Sequence, residues 1–192
     1  MSTSGSLPEA WFARDAPIVA VELLNKLLVV GECRGRIIEV EAYTADDAAS
    51  HSHHGPTNRN AVMFGPAGRL YVYFTYGMHW CANVVTGADG DGQAVLLRAV
   101  SPLSGVQLMR TRRAGRPDRE LTNGPAKLAQ AFEIDGALNG SELGTGGVAV
   151  VDDGVAPPSH PLVTPRVGIT KAIDLPRRWL VPRTTAMPGP LS

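Results

Sequence analysis

Between Ile37 and Asn83 the sequence gathers all four tyrosines, four of the five histidines and two carboxylates two residues apart, Glu39 and Glu41, in IIEVEAY. On a strand, residues i and i+2 share a face, so these acids are neighbours and could divide acid and base roles, as in the hydrolysis of a sugar bond. The bland reading of such a pair is two solvated acids on a strand face. The apolar residues around it weigh the other way, because a buried glutamate needs a partner or a task. His51, His53 and His54 in HSHH invite a metal reading. No carboxylate or cysteine follows at a ligand spacing and HExxH is absent, so a polar loop is expected and a metal is disfavoured. Tyr71 and Tyr73 share a strand face, where an aromatic pair is most often core. Tyr76 and Met78 flank Gly77 at the tip of a turn, which suits a wedge pushed between DNA bases.

The elements that must position these groups follow from patterning. Asp15 and Pro17 open a helix by capping and first-turn chemistry, and Ile18, Val21, Leu24 and Leu28 recur at helical spacing. LLVVGE and RIIEVEAY read as a hairpin turning at Arg34-Gly35, with Ile37, Glu39 and Glu41 on one face and Ile38, Val40 and Ala42 on the other. Residues 44–69 read as a long loop, a length that is usually functional. Leu70–Tyr76 and Trp80–Thr86 read as a second hairpin, AVLLRAV as a buried strand, and Ser104–Arg113 as a helix. Asn123 caps a helix through Phe132 that carries Lys127 in its first turn. GVAVVDD is a strand and Arg166–Ile173 a last one. Residues 1–14 and 183–192 read as flexible tails of a single domain spanning 1–192.

Composition sets outer bounds. At 192 residues and 44% hydrophobic the chain can build one sizeable core. Cys33 and Cys81 form no CxxC pair, which fits a reducing cytoplasm. The N-terminus lacks the basic start and apolar core of a signal peptide, and no apolar run reaches membrane-span length. The formal net charge is +0, but six arginines (98, 110, 112, 113, 116 and 119) face a single acid, Asp118, over one stretch. Alone, this is a solvated helix face; clustered on a folded surface, it is a candidate basic face for DNA.

In order along the chain, EVEAY, RN…MFGPAGRLYVYFTYGMHWCANV, AVLLRA and NGPAKLAQAF closely resemble the alkyladenine (3-methyladenine) DNA glycosylase family, and the match resumes at RVGITKAID. The resemblance implies an α+β fold: one compact domain with a curved, mainly antiparallel sheet, flanking helices and a protruding β-hairpin that enters the minor groove. It implies a monomer, acting without cofactor on double-stranded DNA that contains damaged purines. The damaged nucleotide would be flipped into a pocket and its N-glycosidic bond hydrolysed, leaving an abasic site.

By the same resemblance Glu41 is the general base and Arg98 helps hold the attacking water, with a backbone carbonyl near Arg166–Ile169. Tyr43 and Tyr73 sandwich the base, His51 contacts it, and Asn83 excludes the amino group of guanine. Tyr76 fills the gap in the duplex, with Met78 beside it. Lys127, Arg110, Arg112 and Arg113 are the expected backbone contacts. HSHHG stands where relatives often carry an arginine before the glycine. A glycosylase–lyase would need an amine for a Schiff base; the chain offers only Lys26, Lys127 and Lys171. A zinc base deaminase is excluded by the missing PCxxC element, and a non-catalytic damage-binding module is disfavoured by Glu41.

Overall fold

A computed structural model describes residues 5–182. The strands are β1 (Leu27–Val30), β2 (Cys33–Tyr43), β3 (Leu70–Thr75), β4 (His79–Thr86), β5 (Gln93–Ser104), β6 (Val148–Val151), β7 (Leu162–Thr164) and β8 (Arg178–Leu180); the helices are α1 (Glu9–Phe12), α2 (Ala16–Leu23), α3 (Val106–Arg112) and α4 (Pro125–Phe132). All eight strands join one curled antiparallel sheet in the order β3-β4-β5-β2-β1-β6, with β8 on β2 and β7 on β8. The fold is therefore α+β, one compact domain with a main core and a smaller cluster of Met63, Tyr71, Val85 and Ala94.

β2 is the spine. One edge pairs with β5 along most of its length; the other pairs with β1 near its start and with β8 at Glu39–Glu41. Its register with β5 shifts three times, first between Arg34 and Gly35, which face Ser104 and Pro102. Ile37 faces Val100, Glu39 faces Ala99 and Val40 faces Leu97, so Ile38 and Arg98 are the extra residues. Bulges bend a strand and re-aim its side chains. Here they reset the alternation: Ile37 joins Val40 and Ala42 in the core and does not share the face of Glu39 and Glu41, as strict period-two counting expects. The close approach of β2 to β5 also requires Gly35, where an added Cβ would lie 2.7 Å from Val100 Cγ2.

Helices close the other side of the core. Leu128, Ala129, Ala131 and Phe132 of α4 are buried together with Val19, Ala20 and Leu23 of α2. Residues 5–14 are not a loose lead-in. Ser6 bridges to Val151, α1 forms, and Phe12 is fully buried, which stabilises by roughly 1.5–3 kcal/mol. Residues 1–4 and the tail 183–192 lie outside the described residues.

Local expectations need four further corrections. The first hairpin turns at Gly31-Glu32, since Val30 pairs with Cys33; Gly31 takes the left-handed conformation, φ 54°, that a β-carbon disfavours. The Asp15 side chain does not cap α2; Gln93 reaches across instead, accepting from Ala16 N–H at 2.9 Å. Gly124, not Asn123, holds the cap position of α4, and Asn123 accepts from Lys127 Nζ at 2.9 Å. Residues 166–173 form an irregular loop, because Gly168 has φ 78° and Arg166 is drawn inward; the last strands are β7 and β8.

Candidate active site

Registry across the sheet builds the floor of a cavity. Tyr71 on β3 pairs with Asn83 on β4, Asn83 with Leu96 on β5, and Leu96 with Glu41 on β2. Directly opposed strand residues share a face, so this row presents a carboxylate, an apolar side chain, an amide and a phenol side by side. Tyr43, Tyr73, His51 and Arg98 join them around a volume of about 690 Å³, within the usual range for ligand sites. The walls are two loops, Ala48–His51 with His54 on one side and Val167–Lys171 on the other.

Glu41 has no solvent-exposed side-chain surface. Its Oε1 accepts from the Val167 backbone N–H at 2.9 Å and lies 3.2 Å from Arg98 Nη1. Its Oε2 accepts from the Tyr43 hydroxyl at 2.9 Å. A carboxylate offers roughly four lone-pair sites; the Val167 N–H and the Tyr43 hydroxyl take one on each oxygen, Arg98 lies against Oε1 as an ion pair, and one on Oε2 is left. The segment 166–169 thus meets Glu41 through a backbone N–H. Burial tends to lower the pKa of Arg98, but the Glu41 and Glu39 carboxylates outweigh it and hold the guanidinium protonated. Burial and the adjacent Glu41 push the Tyr43 phenol well above its ordinary value, so it donates to Glu41 and does not compete as a base.

Tyr73 is likewise raised, by burial first. Its ring stands edge-on to His51, centroids 4.5 Å apart. His51 Nδ1 lies 3.0 Å from the Tyr71 hydroxyl, and desolvation of the ring, with Arg59 nearby, lowers the pKa of His51 and favours neutral imidazole. Burial raises the Tyr71 phenol to about 12, so a neutral pair holds the histidine. Asn83 Nδ2 donates to Tyr71 O at 3.1 Å, which leaves Oδ1 as the end of the amide free to meet a ligand. At the cavity mouth Tyr76 is 79% exposed and Met78 67%, both in the β3–β4 turn.

Two sets of positioning residues carry no obvious sequence signal. Asn60 is buried; its Nδ2 donates to His51 O and Gly55 O, and its Oδ1 accepts from Thr57 N–H. It therefore fixes the loop that carries His51. Asp47 and Arg166 form a fully buried pair, with Arg166 Nη2 donating at 2.9 Å. They tie the two wall loops together, and the guanidinium lies 4.6 Å from the Tyr43 ring centroid. The acids and cations are visible in the sequence, but their pairing across more than a hundred residues is not.

The structure brings Glu41, Arg98, Tyr43, His51, Tyr73, Asn83 and Tyr76 to one cavity. Met78 sits in the same turn as Tyr76, and Lys127 sits in the α4 first turn, next to the cavity-lining Pro125. It does not bring Arg110, Arg112 or Arg113 there. Arg110 makes a two-point pair with Asp118. Arg112 bonds Glu133, Ala131 O and Cys33 Sγ, and Arg113 bonds Gln130. Cys33 is at the opposite end of β2 from Glu41, on the order of 25 Å away along the strand at about 3.3 Å per residue. The cations that line the cavity are Arg98 and Lys171; Arg59, close enough to act on His51, donates from Nη2 to Phe74 O at 2.9 Å.

Residues 10–185 match the family model of the methylpurine-DNA glycosylases. A Burkholderia lata protein, provisionally named a 3-methyladenine DNA glycosylase, is 52% identical over 191 residues, covering 97% of this chain and 92% of its own. Proteins with the same provisional name from Carboxydothermus hydrogenoformans and Methanoculleus marisnigri are 48% and 49% identical, covering 90% and 91% of this chain and 93% and 94% of their own. The chain belongs to the methylpurine-DNA glycosylase family. It is thus a DNA repair hydrolase of the N-glycosidic bond, with damaged DNA as its substrate.

Proposed function

We propose that this protein flips alkylated or deaminated purine nucleotides out of duplex DNA and hydrolyses their N-glycosidic bond with a water activated by Glu41. The observation that carries this reading is a buried carboxylate, held by two hydrogen-bond donors and the Arg98 ion pair, on the floor of a cavity walled by tyrosines. A flipped purine fits between Tyr43 and Tyr73, where an electron-poor alkylated ring stacks well on electron-rich phenols. The remaining lone pair on Oε2 is assigned to the water. Because Glu41 has no exposed surface, that water is admitted with the nucleotide rather than held from bulk, which limits idle reaction. Its oxygen bonds to C1′ as the bond from C1′ to the purine nitrogen breaks. Its proton passes to Glu41, and the purine departs with the bonding pair. The transition state is oxocarbenium-like, so the fixed carboxylate also stabilises the developing positive charge.

Tyr76, with Met78, takes the place of the extruded nucleotide in the stack. Lys171, Lys127 and Arg59 are the backbone contacts best placed around the cavity. On this reading the protein is a monomer without AP-lyase chemistry; Lys171, the lysine that lines the cavity, is the amine that trapping would report. The test is excision from duplexes carrying 3-methyladenine, 7-methylguanine, hypoxanthine or ethenoadenine, read by alkaline cleavage, with borohydride trapping in parallel. Base release without a trapped adduct is expected. A covalent adduct would replace the water mechanism with a Schiff base.

A further inference from the structure

The row of opposed residues on the cavity floor does not stop at Glu41. Its next member is Arg178 on β8, paired with Glu41. The Arg178 side chain turns to Glu39: its Nε lies 2.7 Å from Glu39 Oε1, and Arg98 Nε lies 2.7 Å from the same oxygen. Arg178 is held in turn by Thr164 Oγ1 of β7, 3.1 Å from Nη1. The result is an alternating chain of partly or fully buried charges: Arg178, Glu39, Arg98, Glu41. Side-chain exposures of 20%, 16%, 12% and 0% fall toward the cavity floor.

We infer that Arg178 is a positioning residue for the glycosylase reaction, acting by occupying Glu39 so that Arg98 is shared with Glu41. Glu39 is the nearer partner of Arg98, at 2.7 Å against 3.2 Å for Glu41, and arginine prefers a two-point grip on one carboxylate. A Glu39 freed of Arg178 would have its full charge and lone pairs available and would draw the Arg98 fork onto itself. Glu41 would lose its ion pair with Arg98, and the water site beside Arg98 would move. With Arg178 in place, Glu39 spends part of its charge elsewhere and orients Arg98 from behind through Nε alone. The device also explains why a second glutamate so close to Glu41 is not a second base: two guanidinium groups engage it.

This inference rests on the Glu41 reading above, and the experiment separates the two. Single-turnover excision and lesion-duplex affinity are measured for wild type, Glu41→Gln, Arg178→Met, Arg178→Lys and the double variant Glu39→Gln/Arg178→Met. Arg178→Met is expected to slow excision on the order of tenfold to a hundredfold, the scale of misplacing a reacting group, with duplex affinity retained. Arg178→Lys recovers part of the loss by restoring the charge. The double variant, although it still lacks Arg178, recovers most of it, because a neutral glutamine no longer captures Arg98. A merely structural Arg178 would leave the double variant as slow as Arg178→Met or slower; that result, or a wild-type rate in Arg178→Met, overturns the inference. Full activity in Glu41→Gln would instead overturn the reading on which it rests.

Discussion

Glu41, Asn83 and Tyr76 show how differently single residues yield to sequence reading. Glu41 and its neighbour in EVEAY were legible as a carboxylate pair. What distinguishes the two, burial and a backbone N–H from Val167, was not, because backbone donors leave no trace in side-chain patterns. Asn83 presents Oδ1 to the cavity with Nδ2 spent on Tyr71 O. Asn83→Ser makes room for the guanine 2-amino group, so excision of undamaged guanine should rise while hypoxanthine excision persists. Guanine release at the wild-type level would place selectivity at the flipping step. Tyr76 holds φ 51° and Gly77 φ 65°. Turn chemistry favours Asn or Gly at such positions, and a β-branchless but bulky tyrosine there costs about 1–2 kcal/mol, so the ring is kept for something other than the turn. Tyr76→Ala keeps the Cβ and hence the strain, leaving fold stability nearly unchanged. It removes base stacking worth ~1–3 kcal/mol, which should lower the flipped fraction by about one to two orders of magnitude. Ethenoadenine fluorescence in a duplex reads this directly, and an equal signal from both proteins would remove Tyr76 from the mechanism.

Among the elements, strands were the most legible. β3, β4 and β5 follow from apolar runs bounded by glycines. The bulges at Ile38 and Arg98 were not, because an extra residue is invisible to period-two counting until the partner strand is known. The wall loops were least legible: their order depends on buried polar groups, Asn60, Asp47 and Arg166, that composition reads as solvated. Burial alone would raise the Asp47 pKa, but Arg166, the Ala49 N–H and Arg177 outweigh it and hold the carboxyl below its ordinary value. A depressed folded value means that the stabilisation is present above the unfolded value of about 3.9 and is lost as pH falls through the folded one. Wild type should therefore lose stability below about pH 4. Asp47→Asn should lose less on acidification, yet be weaker at neutral pH by about 3–5 kcal/mol, because Arg166 is left buried without its counter-charge. Chemical denaturation at neutral and acid pH measures both; identical curves for the two proteins would mean that the pair does not hold the loops.

For the molecule as a whole, the family and the single antiparallel core were readable from ordered sequence blocks, whereas the placement of charge was not. The arginine-rich stretch pointed to α3, but folding turns those arginines onto Asp118, Glu133 and Gln130 at the end of β2 remote from Glu41. On the proposed reading the DNA-facing charge lies on Lys171, Lys127 and Arg59. Each phosphate contact contributes about 0.9 to the slope of log affinity against log salt. Neutralising Lys171, Lys127 and Arg59 should flatten that slope, and neutralising Arg110, Arg112 and Arg113 should leave it unchanged. The reverse pattern in a salt titration would return the footprint to α3.

The central claim is that Glu41 activates the water, and the most direct test is single-turnover excision of hypoxanthine by Glu41→Gln, with lesion-duplex affinity and thermal unfolding measured on the same preparation. Removal of a general base costs ~10²–10⁴ in rate. In the proposed mechanism Glu41 also stabilises the cationic transition state, so the loss should reach or exceed that range while affinity and folding are kept. Excision by the folded variant at a rate close to wild type would contradict the account and move catalysis to another group.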